Sequence, residues 1–152
     1  MLDGVTQALS LNDFDMSATH IAASINKAPG GDSIVYYDYS LQQFEWNVQL
    51  NTTMGINKIR ISDDGLSIIA LVGVTGDRHI AKFQTSDGAL TSIYELNNTF
   101  TNNDLVINRY NDVYLAYNYD GQYHADFYGM YAIVQMGSDQ GKYKDYQLNS
   151  NS

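Results

Sequence analysis

The stretch Ile59-Arg-Ile-Ser-Asp-Asp-Gly-Leu-Ser-Ile-Ile-Ala-Leu71 decides the fold, because it has a counterpart on each side of it in the chain. Downstream lies Leu105-Val-Ile-Asn-Arg-Tyr-Asn-Asp-Val-Tyr-Leu-Ala-Tyr117, at an offset of 46 residues. Upstream, Leu9-Ser-Leu-Asn-Asp-Phe-Asp15 and His20-Ile-Ala-Ala23 are interpreted as a further copy, with about two extra residues in the turn. Each copy has two apolar runs separated by turn-forming residues, which predicts two strands joined by a tight turn.

The second half of each copy holds two more predicted strands, and it also repeats. Its three versions, at offsets of 46 and 52 residues, are 34–39 with 44–50, 80–85 with 90–96, and 132–136 with 143–148. We expect the larger second offset to be absorbed by a long loop from Asp120-Gly121 to Met130. In the middle copy the four predicted strands span 57–62, 67–74, 79–85 and 90–96.

Four strands repeated every 46–52 residues is the period of a β-propeller blade. The run Ile-x-Ile-Ser-Asp-Asp-Gly, then Ile-Ile-Ala, a Gly-Asp turn, Ile-Ala-Lys-Phe and a Ser-Asp-Gly turn resembles WD40-like or surface-layer-type propeller repeats. The fold class predicted is therefore all-β, with three four-stranded antiparallel blades at about 5–56, 57–100 and 101–148.

The positions of the first and last predicted strands, together with the number of blades, predict that the ring is incomplete. The first predicted strand is at about residues 5–11 and the last at about 142–148, so no strand remains to complete another blade. Because propellers have roughly 4–8 blades, three would leave two aliphatic sheet faces uncovered. We therefore expect either a partial ring or one half of a six-bladed ring formed by two copies.

Composition supports the all-β prediction and restricts the partners. Fifteen Asp and 14 Asn against two Glu favour turns over helices, and 13 Tyr are compatible with strands. A net charge of −9 disfavours nucleic acid and anionic membrane surfaces as partners, since both attract clustered Lys and Arg. No apolar run is long enough for a membrane-spanning helix, and the absence of Cys excludes disulfides and Cys-ligated metals.

The sequence predicts no catalytic residue, metal site or cofactor. His20 and His79 fall on predicted strands without a ligand at hairpin spacing, and His124 lies in the predicted long loop beside Asp126. The segment 12–17 has the alternating oxygens of a calcium loop, but the Gly and Glu that such a loop requires are missing. Because an Asp-Asp-Gly turn, 63–65, is aligned with it in the next copy, we interpret both as turns. The two Glu fall on outer strands, away from the centre of a ring.

Two surface features are candidates for modification and binding. Asn51 and Asn97 are in Asn-x-Thr sequons 46 residues apart, just after the fourth predicted strand, and are predicted glycosylation sites of an extracellular or cell-surface protein. A cytoplasmic location is the alternative. Tyr119, Tyr123 and Tyr128 fall in and beside the predicted long loop, where tyrosines are suited to ligand binding.

We therefore expect a non-enzymatic structural or protein-interaction propeller module. Its predicted partners are other protein chains or further blades of the same polypeptide, and glycan is an additional candidate partner. One alternative is a carbohydrate-binding lectin formed by an oligomeric propeller. A second is part of a propeller hydrolase or oxidoreductase whose active residues lie in other blades.

Overall fold

A computed structural model describes residues 9–27, 31–50, 55–74, 76–96, 101–108, 112–119, 122–128 and 135–138. All regular structure in these ranges is strand. They accordingly contain no helix long and apolar enough to cross a membrane. The prediction of an all-β chain is confirmed.

Within these described ranges, twelve strands form three antiparallel sheets, each with its four strands in chain order. The first sheet contains β1 (Leu9–Met16), β2 (His20–Lys27), β3 (Gly31–Asp38) and β4 (Gln43–Gln49). The second contains β5 (Ile56–Ile61), β6 (Ser67–Val74), β7 (Asp77–Gln84) and β8 (Leu90–Leu96). The third contains β9 (Thr101–Ile107), β10 (Val113–Tyr119), β11 (Gln122–Tyr128) and β12 (Gln135–Ser138).

The structure corrects strand assignments made from the sequence in the third sheet and in the first. The predicted long loop is wrong over residues 122–128, because these form β11, which pairs with β10 from Tyr119 opposite Gln122. The fourth strand of the third sheet is accordingly Gln135–Ser138, and the predicted strand at 143–148 lies outside the described residues. In the first sheet, segment 12–15 is strand rather than turn, because β1 runs to Met16.

Matching backbone hydrogen bonds in the turns after the first strands give the repeat register of the structure. The amide of Ser17 donates to the carbonyl of His20, that of Ser62 to Ser67 and that of Asn108 to Asp112. Three residues at spacings of 45 and 46 are therefore equivalent, and each directly follows the first strand of its sheet: Ser17, Ser62 and Asn108.

The sheets stack face to face, so that each interior sheet face packs against a neighbour. We call the face of a sheet that points toward the preceding sheet its front, and the opposite face its back. The back of the first sheet meets the front of the second in one apolar cluster, which includes Ile34, Tyr36, Ile59 and Phe83. The back of the second meets the front of the third in another, which includes Leu71 and Leu105.

The central strand β6 shows why the second sheet lies in the middle. Every residue from Ser67 to Gly73 is buried, as expected for a strand that is covered on both faces. Ile68, Ala70 and Val72 contribute to the cluster with the first sheet, whereas Ile69 and Leu71 contribute to the cluster with the third. Because alternate side chains of β6 point to opposite faces, this one strand packs against both the first and the third sheet.

The first strands of the sheets lie side by side, β1 against β5 and β5 against β9. Carboxylates join the first two of these strands. Asp13 accepts a hydrogen bond from the amide of Ile59 at 2.9 Å, and Asp15 accepts one from the amide of Ile61 at 2.8 Å. The buried carboxylate of Asp32 accepts a hydrogen bond of 2.6 Å from the amide of Ile56. Each bond gives a β5 amide a charged partner in the first sheet, which stabilises the contact between the sheets.

Candidate functional site

A cavity of about 420 Å³ lies between the first two sheets. On one side it is lined by the start of β2 and by side chains of β3 and β4, including His20, Tyr36 and Glu45. On the other side it is lined by two turns of the second sheet, which contribute Asp64 and Thr85. The cavity is therefore a cleft at one edge of the sheet interface, with polar and ionisable groups at its mouth.

Three rings stack along the first-sheet wall of the cleft. The imidazole of His20 lies parallel to the ring of Tyr36, with centroids 4.6 Å apart and planes 4° apart. Tyr36 in turn stacks on Trp46 at 5.1 Å. The indole Nε1–H of Trp46 donates a hydrogen bond of 2.7 Å to the carbonyl oxygen of Thr85, which anchors the stack to the second sheet.

The phenol of Tyr36 is held in its neutral form. Burial raises its pKa, although the hydrogen bond between the side chains of Tyr36 and Thr85 acts in the opposite direction. The side chain of Thr85 also donates to the carbonyl oxygen of Gly65 at 2.8 Å. The wall of the cleft is consequently a set of interlocked groups rather than a row of free side chains.

Asp38 supplies a fixed carboxylate beside His20. Its Oδ1 accepts hydrogen bonds from the hydroxyl and amide of Ser40, at 2.6 and 2.8 Å, and from the amide of Leu41 at 3.0 Å. The bond from the Ser40 side chain is the main cause of a lowered Asp38 pKa, so this group is an anion at neutral pH. Its other oxygen, Oδ2, lies 3.6 Å from Nε2 of His20.

A β-bulge brings Glu45 to the same place. Tyr36 pairs with Trp46, but the next residue, Tyr37, pairs with Phe44, so Glu45 is the extra residue in β4. Bulges turn side chains away from the regular alternation of a strand. One ligand-type atom from each of His20, Asp38 and Glu45 lies within 4.8 Å of the other two. Among the described residues, this is where a metal ion would find three such groups.

The bulge also changes which face of β4 each aromatic side chain occupies. In a regular strand Phe44 and Trp46, two residues apart, would share a face. In the structure Trp46 is half-buried against the second sheet, whereas Phe44 is 59% exposed and contacts Tyr37 edge-on at 5.0 Å. They therefore lie on opposite faces.

An ionic link crosses the first strands of all three sheets. Nη1 of Arg60 donates to Asp13 at 2.8 Å, and Nη2 donates to Asp104 at 3.1 Å. The Asp104 side chain is 56% exposed, whereas that of Asp13 is 20% exposed. The arrangement stabilises the packing of the three strands, and the sequence interpretation missed it because it placed Asp13 in a turn.

The other predicted site residues are placed only in part. Tyr119 ends β10, and Tyr123 and Tyr128 lie on β11 rather than in a loop. Their side chains lie outside the described part of the structure, so their role as binding residues stays a prediction. Asn51 and Asn97 also lie outside the described residues.

The histidines have different surroundings. His20 is on β2 and His79 on β7, as predicted. His79 has a carboxylate nearby, with Nδ1 at 3.8 Å from Asp77. His124 is on β11, not in a loop, and its side chain lies outside the described part. The sequence interpretation found no ligand for His20, because Asp38 faces it only through the pairing of β2 with β3.

Comparisons with known proteins bear on the fold. No protein-family model matches the chain, and no curated protein matches its sequence. Among solved structures, it is similar to the β-propeller domain of Cps50 (Swd1) from Myceliophteria thermophila, with a TM-score of 0.63 and 12% identity over 88% of this chain. It is also similar to Sqt1 from Saccharomyces cerevisiae, with a TM-score of 0.58 and 10% identity over 88% of this chain.

The chain spans 42% and 36% of the lengths of those two structures. At such low identity the likeness concerns the fold alone. Together with the stacked four-stranded sheets of the described residues, it shows that the chain folds as β-propeller blades. The resemblance inferred from the repeat is confirmed.

Proposed function

We propose that the chain is a non-enzymatic interaction module of a larger β-propeller assembly, and that the front face of its first sheet receives another propeller blade. The observation that carries this proposal is the exposure of Phe14. Phe14 is 51% exposed, whereas the equivalent residues of the next two sheets, Ile59 and Leu105, are 0% exposed. Both equivalents are buried because a preceding sheet covers them.

Neighbouring residues on β1 show the same difference in exposure from their equivalents on β5. Leu11 and Met16 are 59% and 53% exposed, but their equivalents on β5, Ile56 and Ile61, are 2% and 8% exposed. Cross-strand pairing places four partly exposed residues beside them on the same face: Ile21, Ala23, Ile25 and Tyr37. A contiguous apolar face of this kind marks an interaction surface.

The back face of another blade fits this surface better than an unrelated partner does. Blade stacking already buries the equivalent positions twice within this chain, with the same strand geometry each time. Solved propellers of similar fold are more than twice as long as this chain, which supports the presence of further blades in the complete assembly. Two copies would supply six blades, a number within the usual range of about 4–8.

The test is the mass of the 152-residue chain in solution. By size-exclusion chromatography with light scattering, we expect the chain to associate, as a closed dimer or as larger head-to-tail species. The triple variant Leu11→Ser, Phe14→Ser, Met16→Ser is expected to be monomeric, because the apolar contact is lost. Circular dichroism checks that this variant keeps its strands, which the exposure of all three side chains favours.

A matched control uses apolar residues that are equally exposed elsewhere. Leu41 and Leu66 are each 66% exposed and lie in turns rather than on the front face of β1. The variant Leu41→Ser, Leu66→Ser should associate like the unaltered chain. A monodisperse monomer of the unaltered chain, or equal effects of the two variants, would contradict the proposal.

We also propose an extracellular or surface location, which rests on the paired sequons at Asn51 and Asn97. Expression in a secretory eukaryotic host should give a protein heavier than its 17.0 kDa chain, and N-glycosidase should remove the difference. An unmodified mass from the secreted protein would contradict glycosylation at these positions.

A further inference from the structure

We propose that His20, Asp38 and Glu45 form a binding site for a divalent transition metal, with Zn²⁺ as the preferred ion. The inference is independent of the proposed assembly role. It rests on three observations: the spacing of the ligand atoms, the groups that hold them, and the residues at equivalent positions of the second sheet.

The spacing fits a metal better than a direct hydrogen bond. Nε2 of His20 and Oδ2 of Asp38 are 3.6 Å apart, which is longer than the roughly 2.7–3.2 Å of a good N–H···O bond. Two ligands about 2.1 Å from a tetrahedral ion lie roughly 3.4 Å apart. Glu45 completes the set within 4.8 Å, and because its side chain is exposed it can adjust its position to an ion.

The two inner ligands are already oriented. Nδ1 of His20 lies 2.7 Å from the hydroxyl oxygen of Thr19. In the tautomer with hydrogen on Nδ1, this contact is a donated hydrogen bond, and the lone pair of Nε2 is available to a metal. Metal-bound imidazoles usually have such a second partner. The stack on Tyr36 fixes the ring plane, and the turn at Ser40 fixes the carboxylate of Asp38.

The blade fold does not require ionisable residues at these positions. In the second sheet the equivalents of His20, Asp38 and Glu45 are Ser67, Gln84 and Thr91, as the pairing, turns and bulge of the two sheets show. Strand pairing and the bulge are the same there without any of the three charges. The His-Asp-Glu set is therefore a feature added to the first blade.

The chemistry of the set selects the class of ion. One imidazole and two carboxylates are donors that suit Zn²⁺ and similar transition metals. Ca²⁺ needs roughly 6–8 oxygen ligands, and Mg²⁺ favours octahedral oxygen sites. Three protein ligands leave a fourth position of a tetrahedral ion open, and the adjoining cavity of about 420 Å³ has room for water or an external donor there.

The experiment is calorimetric titration of the tag-free full chain with Zn²⁺. We expect one ion per chain, and a visible absorption of the bound Co²⁺ derivative that indicates four-coordination. His20→Ala should lower the Zn²⁺ affinity by at least about 100-fold, because loss even of an outer-shell partner costs roughly 10–100-fold. Asp38→Asn and Glu45→Gln should also weaken binding, while Asp38→Asn keeps an oxygen for the Ser40 turn.

His79→Ala is the matched control, since His79 also has a neighbouring carboxylate, Asp77, but lacks a third ligand among the described residues at the spacing that His20 has. It should bind Zn²⁺ with unchanged affinity. The proposal is overturned if the unaltered chain fails to bind Zn²⁺, if it prefers Ca²⁺ or Mg²⁺, or if His20→Ala binds as tightly as His79→Ala. Circular dichroism of each variant separates lost binding from lost folding.

Discussion

Replacing Gly88 by alanine tests whether close packing of Trp46 joins the first two sheets. A Cβ at Gly88 would lie 2.8 Å from Cε3 of Trp46 and 2.8 Å from Cγ2 of Val48, far inside the roughly 3.5–4.0 Å of a normal carbon contact. Trp46 has little freedom to retreat, because it is hydrogen-bonded to Thr85 and stacked on Tyr36. Overpacking of this kind costs about 1–3 kcal/mol.

The backbone adds a second cost that can be measured separately. Gly88 has a φ of +73°, a left-handed conformation that costs a non-glycine residue about 1–2 kcal/mol. Gly65 has nearly the same φ, +70°, but a Cβ there would meet nothing within 4 Å. Gly65→Ala should therefore lose about 1–2 kcal/mol of unfolding free energy, whereas Gly88→Ala should lose about 2–5 kcal/mol.

Urea unfolding gives both values, and the chain's single tryptophan reports directly on the contact. The two variants are compared at equal protein concentration, with circular dichroism as a second probe of unfolding. In Gly88→Ala the emission of folded Trp46 should also change, because the added methyl group alters the packing around the indole. If the two alanine variants differ by less than about 0.5 kcal/mol, the proposed close packing of Trp46 is refuted.

Two further predictions concern carboxylates that join the sheets. Asp13→Ala should lower the unfolding free energy by about 1–3 kcal/mol, because it leaves Arg60 and a β5 amide without that partner, whereas Asp104→Ala should cost at most about 1 kcal/mol because its side chain is mostly exposed. Urea unfolding measures both, and equal losses would contradict the difference. Asp32→Ala should cost about 1–3 kcal/mol and speed hydrogen exchange at the amide of Ile56, and unchanged exchange there would contradict the bond.

The fold class could be predicted from the sequence because blade repetition leaves a clear period. In the second sheet, predicted strands at 57–62, 67–74, 79–85 and 90–96 agree within two residues with the observed ones. Short turns containing Gly and Asp separate these strands, so their ends are marked locally. The same turn signals gave a wrong prediction at Asp13 and Asp15, which lie on a strand and accept hydrogen bonds from another sheet.

The segment 12–17 shows why the first sheet was harder to predict. Its Asp residues favour turns locally. In the structure, however, the segment through Met16 is strand, and the Asp carboxylates accept hydrogen bonds from amides of β5. The sequence also contains a repeat that agrees with the structure: Asn12, Asn57 and Asn103 begin six-residue segments that end in Ser17, Ser62 and Asn108. That spacing of 45 and 46 residues would have placed Asp13 on a strand.

The third sheet differs from the prediction for another reason. The dipeptide Asp120-Gly121 is typical of a two-residue hairpin turn, and its flanking residues Tyr119 and Gln122 are indeed paired. The alignment of 132–136 with the third strands of the other copies instead predicts a loop here, against the hairpin signal of Asp120-Gly121. The His-Asp-Glu cluster was beyond prediction altogether, since it depends on the register of β2 with β3 and on a bulge in β4.

The two proposals involve opposite faces of the same sheet and can therefore fail separately. Phe14 lies on the front face, whereas His20 stacks on Tyr36, which belongs to the cluster behind the first sheet. Side chains on opposite faces of a sheet do not touch, so substitution of Phe14 should leave Zn²⁺ affinity unchanged. Likewise, His20→Ala should leave association of the chain unchanged. Coupling between the two would mean that the additional blade reaches across the edge of the sheet to the cleft, and that the open position of the ion is where it binds.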